Sequence, residues 1–133
     1  MILADTSAWV EYDRATGSAT DRAMTSLIAA GGTALAGTEP VLMEVLAGAK
    51  DDTRHSELER LLKSFQWIGA DPVADFAGAA KVYRACRAGG VTPRGLIDCM
   101  IASIAIRTGA DLLAADRDFA DMARILPLQL VSV

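Results

Sequence analysis

Five acidic residues carry the chemistry this chain is equipped to do. Asp5 follows the apolar run Met1-Ile2-Leu3-Ala4 and precedes the polar pair Thr6-Ser7. Asp116 closes a second run, Asp111-Leu112-Leu113-Ala114-Ala115, and Asp118 comes two residues later. Glu44 interrupts Val41-Leu42-Met43-Glu44-Val45-Leu46, and Asp98 interrupts Leu96-Ile97-Asp98-Cys99-Met100-Ile101. The chain holds 17 acids, so their number says little and their settings decide. Carboxylates are almost never fully buried unless paired, because desolvating a charge is costly. Each alone has a plain reading: a strand-end Asp serves as a helix N-cap, and an acid in an apolar turn forms a buried ion pair or an exposed spot. Four such acids together point to one cluster. Carboxylates without histidine or thiolate favour the hard cations Mg²⁺ or Mn²⁺. These cations promote attack of water at phosphorus. Metal-free catalysis by two carboxylates, as in glycosidases, leaves the third and fourth acids without a task.

The elements that must position these acids alternate between strand and helix. Ile2–Ala4 reads as a strand, because a short apolar run bounded by turn residues suits a buried one. Helices are predicted from Ser7 to about Ala15 and from Asp21 to about Ala30, followed by a weak, alanine-rich strand over Thr33–Ala36. Thr38-Glu39-Pro40 fits the start of a helix that runs to Gly48. A further helix covers Thr53–Ser64, and Phe65–Ile68 is a third strand. Asp71-Pro72 opens a long helix with Val73, Phe76, Ala80 and Tyr83 on one face. Arg94–Thr108 reads as a buried helix, with a wide apolar face from Leu96, Ile97, Met100, Ile101, Ile104 and Ala105, stopped at Gly109. The Asp111–Asp116 strand, a short helix from Asp116 and a last strand over Leu128–Val133 complete the chain. Alternating β and α elements predict a parallel sheet covered by helices. In open sheets of this kind ligands bind at the carboxyl edge of the strands, where Asp5 and Asp116 fall.

Composition narrows the class. The chain has 133 residues, 52% hydrophobic and 23% charged, which suits one globular domain spanning 1–133. No apolar stretch is long enough to cross a bilayer, and no basic segment precedes the first apolar run. A cytoplasmic protein without a membrane partner is therefore expected. Cys86 and Cys99 form no CxxC pair and His55 is the only histidine, so a zinc site is not expected. Both cysteines read as small buried residues, and His55 as a surface residue. The net charge of −4 excludes global attraction to phosphates. Local attraction must come from basic clusters. Lys81, Arg84 and Arg87 fall three apart on one helix, and Arg94 precedes Asp98 by one turn. Arg84, Arg87 and Arg94 are candidate phosphate contacts for a substrate strand. The alternatives are a solvated face for the first two and, for Arg94, pairing with the acids when no metal is bound. Trp9 and Tyr12 suit core or dimer-interface packing rather than base stacking.

The order Asp5-Thr6-Ser7, Pro40-x-x-x-Glu44 with Gly48 after it, Leu96-Ile97-Asp98-x-x-Ile101-Ala102, and Asp116-x-Asp118-Phe119 resembles the PIN-domain ribonucleases. It is most similar to the VapC toxins of bacterial toxin–antitoxin pairs, over essentially the whole chain. The resemblance implies a three-layer α/β/α fold with a short parallel sheet. It also implies Mg²⁺- or Mn²⁺-dependent RNA cleavage, a homodimer and an inhibitory VapB-like antitoxin. The family's metal-site acids fall on Asp5, Glu44, Asp98 and Asp116, with Asp118 as a fifth, and its hydroxyl position falls on Thr6 or Ser7. Another reading of the residues is a phosphatase- or receiver-like enzyme with Asp5 as nucleophile. Such folds usually want a lysine late in the sheet, and none follows Lys81.

Overall fold

The computed structural model describes residues 1–133. Four parallel strands form its centre: β1 (Ile2–Ala4), β2 (Leu35–Gly37), β3 (Gln66–Trp67) and β4 (Asp111–Leu113), in the order β3-β2-β1-β4. Ile2 lies opposite both Leu35 and Asp111. Seven helices complete the three-layer α/β/α arrangement: α1 (Thr6–Asp13), α2 (Ala19–Ala29), α3 (Glu39–Ala47), α4 (Asp52–Lys63), α5 (Ala74–Ala88), α6 (Leu96–Thr108) and α7 (Arg117–Ala123). Consecutive strand residues point to opposite faces. Leu3 and Ala4, Leu35 and Ala36, and Leu112 and Leu113 are all fully buried. Both faces of the sheet are therefore covered, as a parallel sheet requires. The small residues of β2 leave room for close neighbours. A Cβ on Gly37 would come within 2.8 Å of the Trp67 ring on β3. No helix is long and apolar enough to cross a membrane.

Strand order locates the site. From β1 the chain moves outward through β2 to β3, then returns to place β4 on the other side of β1. The direction of winding reverses between β1 and β4, and crevices at such reversals are where open α/β sheets bind ligands. The ladder continues one step past β1, with the Asp5 N–H donating to the Leu113 carbonyl at 2.9 Å. Asp5 is thereby held at the crevice.

Three predicted elements are corrected. Of the predicted face of Val73, Phe76, Ala80 and Tyr83, only Tyr83 packs on the core, half-buried, while Val73, the N-cap of α5, is 81% and Phe76 63% accessible. The buried face is Asp75, Ala79, Val82 and Cys86. Leu128–Val133 makes a single bridge, Leu130 to Leu112, and forms no strand. The predicted Arg94–Thr108 helix starts at Leu96 with Gly95 as its N-cap, and Leu96 is exposed rather than buried. Its end is as expected, with Gly109 in the left-handed conformation at φ +71°.

The inward carboxylate of α5 explains the first correction. Asp75 is fully buried and binds Arg107 of α6, whose Nη2 donates at 2.7 Å and Nε at 3.1 Å. The Ser103 hydroxyl adds a bond at 3.0 Å and the Asp71 N–H one at 2.7 Å. Burial pushes the Asp75 pKa up, but the bonds from Arg107, Asp71 and Ser103 and the Arg107 charge outweigh it, so the carboxyl is held below its usual range.

Candidate active site

Asp5 is 2% exposed and is both a strand-end acid and the N-cap of α1. Its Oδ2 accepts the Ser7 N–H at 2.9 Å and the Ser7 hydroxyl at 2.7 Å. Its Oδ1 is buried and accepts no hydrogen bond. The Ser7 oxygen accepts the Ala115 N–H at 2.9 Å and the Asp116 N–H at 3.3 Å. One hydroxyl thus ties the end of β1 to the segment after β4. Asp116 caps α7, its Oδ1 accepting the Asp118 N–H at 2.9 Å. Asp98 stands in the first turn of α6. Glu44 lies within α3, and its Oε1 accepts the Thr6 hydroxyl at 2.6 Å. Asp5, Asp98, Asp116 and Asp118 therefore sit at helix N-termini, where free N–H groups and the helix dipole favour negative charge. The hydroxyls of Thr6 and Ser7 are both spent on carboxylates of the site.

Asp5, Glu44, Asp98 and Asp116 line one cleft of about 560 Å³, together with Thr6, Ser7 and Arg94. One oxygen from each of Asp98, Asp116 and Asp118 lies within 4.8 Å of the others, with Asp98 and Asp116 in the cleft lining and Asp118 beside it. Asp5 and Glu44 share the cleft without joining this triad. Burial, and then the charges of Asp5, Glu44, Asp116 and Asp118, push the Asp98 pKa up to about 7. Burial also raises that of Asp5, against the lowering effect of Ser7 and Thr6, and the Glu44 charge raises it further. An all-oxygen donor set with mutual repulsion and an orphaned buried oxygen fits a hard divalent cation.

The basic candidates divide. Arg94 donates from Nη2 to Asp116 and from Nε to Asp118, each at 2.9 Å. This is the pairing expected of Arg94 when no metal is bound. Arg84 and Arg87 are not brought to the cleft. Arg87 lies over the Tyr83 ring, 5.9 Å from its centroid, and donates to the Tyr83 hydroxyl at 3.3 Å. Three cleft residues escaped the sequence reading as site residues: Gly95, Leu96 and Ile97. Their signal is the Thr92-Pro93-Arg94-Gly95 segment that leads into α6 and, with it, Asp98.

The family model for the PIN domain matches residues 2–125. Ribonuclease VapC11 of Mycobacterium tuberculosis is 47% identical over 132 residues, covering 99% of this chain and 98% of that protein. The chain belongs to the PIN-domain VapC family. VapC ribonuclease Mb1587 of Mycobacterium bovis is equally similar, with the same coverage. A chain of the VapBC2 crystal structure from Rickettsia felis superposes with a TM-score of 0.75 at 23% identity, over 98% of both chains. Among the residues weighed for other roles in this VapC-family chain, Trp9 belongs to the core. It is 1% exposed, edge-on to Tyr12 and tilted against Phe65. Cys86 and Cys99 are buried free thiols, and His55 is exposed.

Proposed function

We propose that this VapC-family protein is a cytoplasmic endoribonuclease that depends on Mg²⁺ or Mn²⁺ and acts as the toxin of a toxin–antitoxin pair. The observation that carries this reading is the triad of Asp98, Asp116 and Asp118 oxygens, two of whose members line one cleft with Asp5 and Glu44. Asp98, Asp116 and Asp118 would hold the cation, with the unpartnered Oδ1 of Asp5 beside them. Bound there, the cation supplies charge neutralisation at the scissile phosphodiester and makes phosphorus more open to attack by water. The chain's own residues do the rest. Thr6 fixes Glu44 through Oε1, leaving Oε2 to accept a proton from the attacking water. Ser7 holds Asp5 and the start of α7 in register. Thr6 and Ser7 are on this reading positioning residues, and Arg94 is a counter-ion for Asp116 and Asp118.

The phosphatase-like alternative is separated by substrate. The purified protein, freed of antitoxin, should release fragments from single-stranded RNA with Mg²⁺ or Mn²⁺ and none with excess chelator. It should leave p-nitrophenyl phosphate intact. Release of nitrophenol without RNA cleavage reverses the assignment.

We further propose a homodimer inhibited by a VapB-like antitoxin segment seated near the acids. Met43, Val73, Phe76 and Leu96 expose large apolar side chains, and such surface in quantity marks interaction sites. A basic antitoxin side chain would complement the acid cluster as Arg94 already does in part. Sedimentation should give a dimer at micromolar concentration, and a bound antitoxin should protect the Asp98 cleft. A monomer, or an inhibitor bound far from the acids, refutes the respective half.

A further inference from the structure

The acid cleft does not end at Glu44. A small cavity of about 110 Å³ shares Glu44 with it and is lined further by Trp9, Asp13, Arg14 and Gly48. That cavity shares Asp13, Arg14 and Gly48 with a wholly polar cleft of about 650 Å³, which also takes in Lys50 and Arg54. A further cleft of about 470 Å³ shares Ser7, Arg94 and Asp116 with the acid cleft and Val10 with the small cavity, and reaches Glu11 and Arg117. The acid cleft is thus continuous with two arms, one leaving past Glu44 and one past Asp116.

Most cations of the chain are engaged elsewhere. Those without a side-chain hydrogen bond or ion pair are Arg14, Lys50, Arg60, Lys81, Arg84 and Arg117. Three of them, Arg14, Lys50 and Arg117, line the arms. Arg54, by contrast, is occupied by Asp13 and Glu57. The polar arm carries as many acids as bases (Asp13, Asp51 and Glu57 against Arg14, Lys50 and Arg54). It does not draw RNA from a distance, in keeping with the net charge of −4. It offers two free donor groups at short range.

We infer that the groove is a track for single-stranded RNA. On this inference Arg14 and Lys50 hold backbone phosphates along the arm that leaves past Glu44, and Arg117 holds one along the arm that leaves past Asp116. It rests on the ribonuclease reading and goes beyond it by assigning the flanking-strand contacts. The substrate it selects is a strand several nucleotides long rather than a dinucleotide. The phosphate contacts sit at the end of α1, after α3 and at the start of α7, not on α5.

The test is binding of a fluorescent 12-nucleotide single-stranded RNA in chelator, read by anisotropy over a salt series. R14A/K50A, R84A/R87A and the wild type are compared. Arg14, Lys50, Arg84 and Arg87 are all exposed, and matching melting curves verify that the variants fold. R14A/K50A should bind more weakly and flatten the log–log salt slope by about 1.4, or about 0.7 per lost phosphate contact. R84A/R87A should match the wild type. An unchanged slope and affinity in R14A/K50A, or a loss confined to R84A/R87A, overturns the inference. Cleavage of the same RNA by the wild type with Mn²⁺ keeps the two failures apart. If it cleaves while R14A/K50A binds normally, only the track is wrong. If it neither cleaves nor binds, the ribonuclease reading is wrong as well.

Discussion

Asp98→Asn is expected to abolish RNA cleavage while raising the thermal stability of the cation-free protein. Asp98 is pushed up to about 7 by burial and by the charges of Asp5, Glu44, Asp116 and Asp118. One pKa unit is worth about 1.4 kcal/mol, so the full shift would correspond to about 4 kcal/mol. Asp98 is only half-buried, and solvent screening removes half or more of that. A gain of about 1–2 kcal/mol follows, or about 4–8 °C in Tm for a chain of this size. The sign fixes the pH window. A carboxyl whose folded pKa lies above its unfolded value favours folding below about pH 4, and that contribution is lost as pH rises through about 7. Wild type and variant should therefore melt together near pH 4 and separate progressively up to pH 7–8. Divalent cation should raise the wild-type Tm and leave that of the variant nearly unchanged. A fully active Asn variant removes Asp98 from the ligand set. A variant less stable than wild type at pH 8 in chelator means that the acids are not under mutual repulsion.

Arg107→Ala is expected to cause the largest loss of stability among single substitutions outside the site. It leaves Asp75, which is fully buried, without its main counter-charge. Removing one partner of a buried pair costs about 3–5 kcal/mol. Arg107 is itself 37% exposed, which places the expectation near the lower end, at about 3 kcal/mol and about 10 °C in Tm. In the wild type the depressed carboxyl contributes stability above about pH 4 that is lost as pH falls through its folded pKa. In the variant burial acts without Arg107, so the gap between the two proteins should narrow toward pH 4. Urea unfolding at pH 7.5 and pH 4.5 measures both. A loss under about 1 kcal/mol at pH 7.5 would show that water replaces the guanidinium at little cost. Cleavage below the melting temperature should persist, because Arg107 lies at the end of α6 opposite to Asp98.

These two residues also show what was legible in the sequence. Asp98 stood out because a carboxylate in an apolar helical turn is a local contradiction, visible without partners. The same holds for Glu44, and for Asp5 and Asp116 after their apolar runs. The β-α alternation and the Gly109 stop were equally local. Asp75 was not legible, because its partner lies 32 positions away. Without that pair, local periodicity favours the apolar face of Val73 and Phe76, which the fold leaves in solvent. The final strand failed for a related reason. Leu128–Val133 has strand-like residues, but only Leu130 meets the edge of β4, and pairing is a property of the neighbour. Arg84 and Arg87 were candidates by helical spacing. Spacing places residues on one face of a helix but does not say where that helix packs.

The central claim is that the acids of this cleft hold the divalent cation used in RNA cleavage. Anomalous diffraction from a crystal soaked in Mn²⁺ tests it most directly. The account requires a peak bonded to oxygens of Asp98, Asp116 and Asp118, at about 2.0–2.6 Å as hard-cation ligands demand, with Arg94 displaced from at least one of them. It is contradicted if the same crystals cleave RNA in Mn²⁺ while the peak lies away from these carboxylates, or while no peak is present.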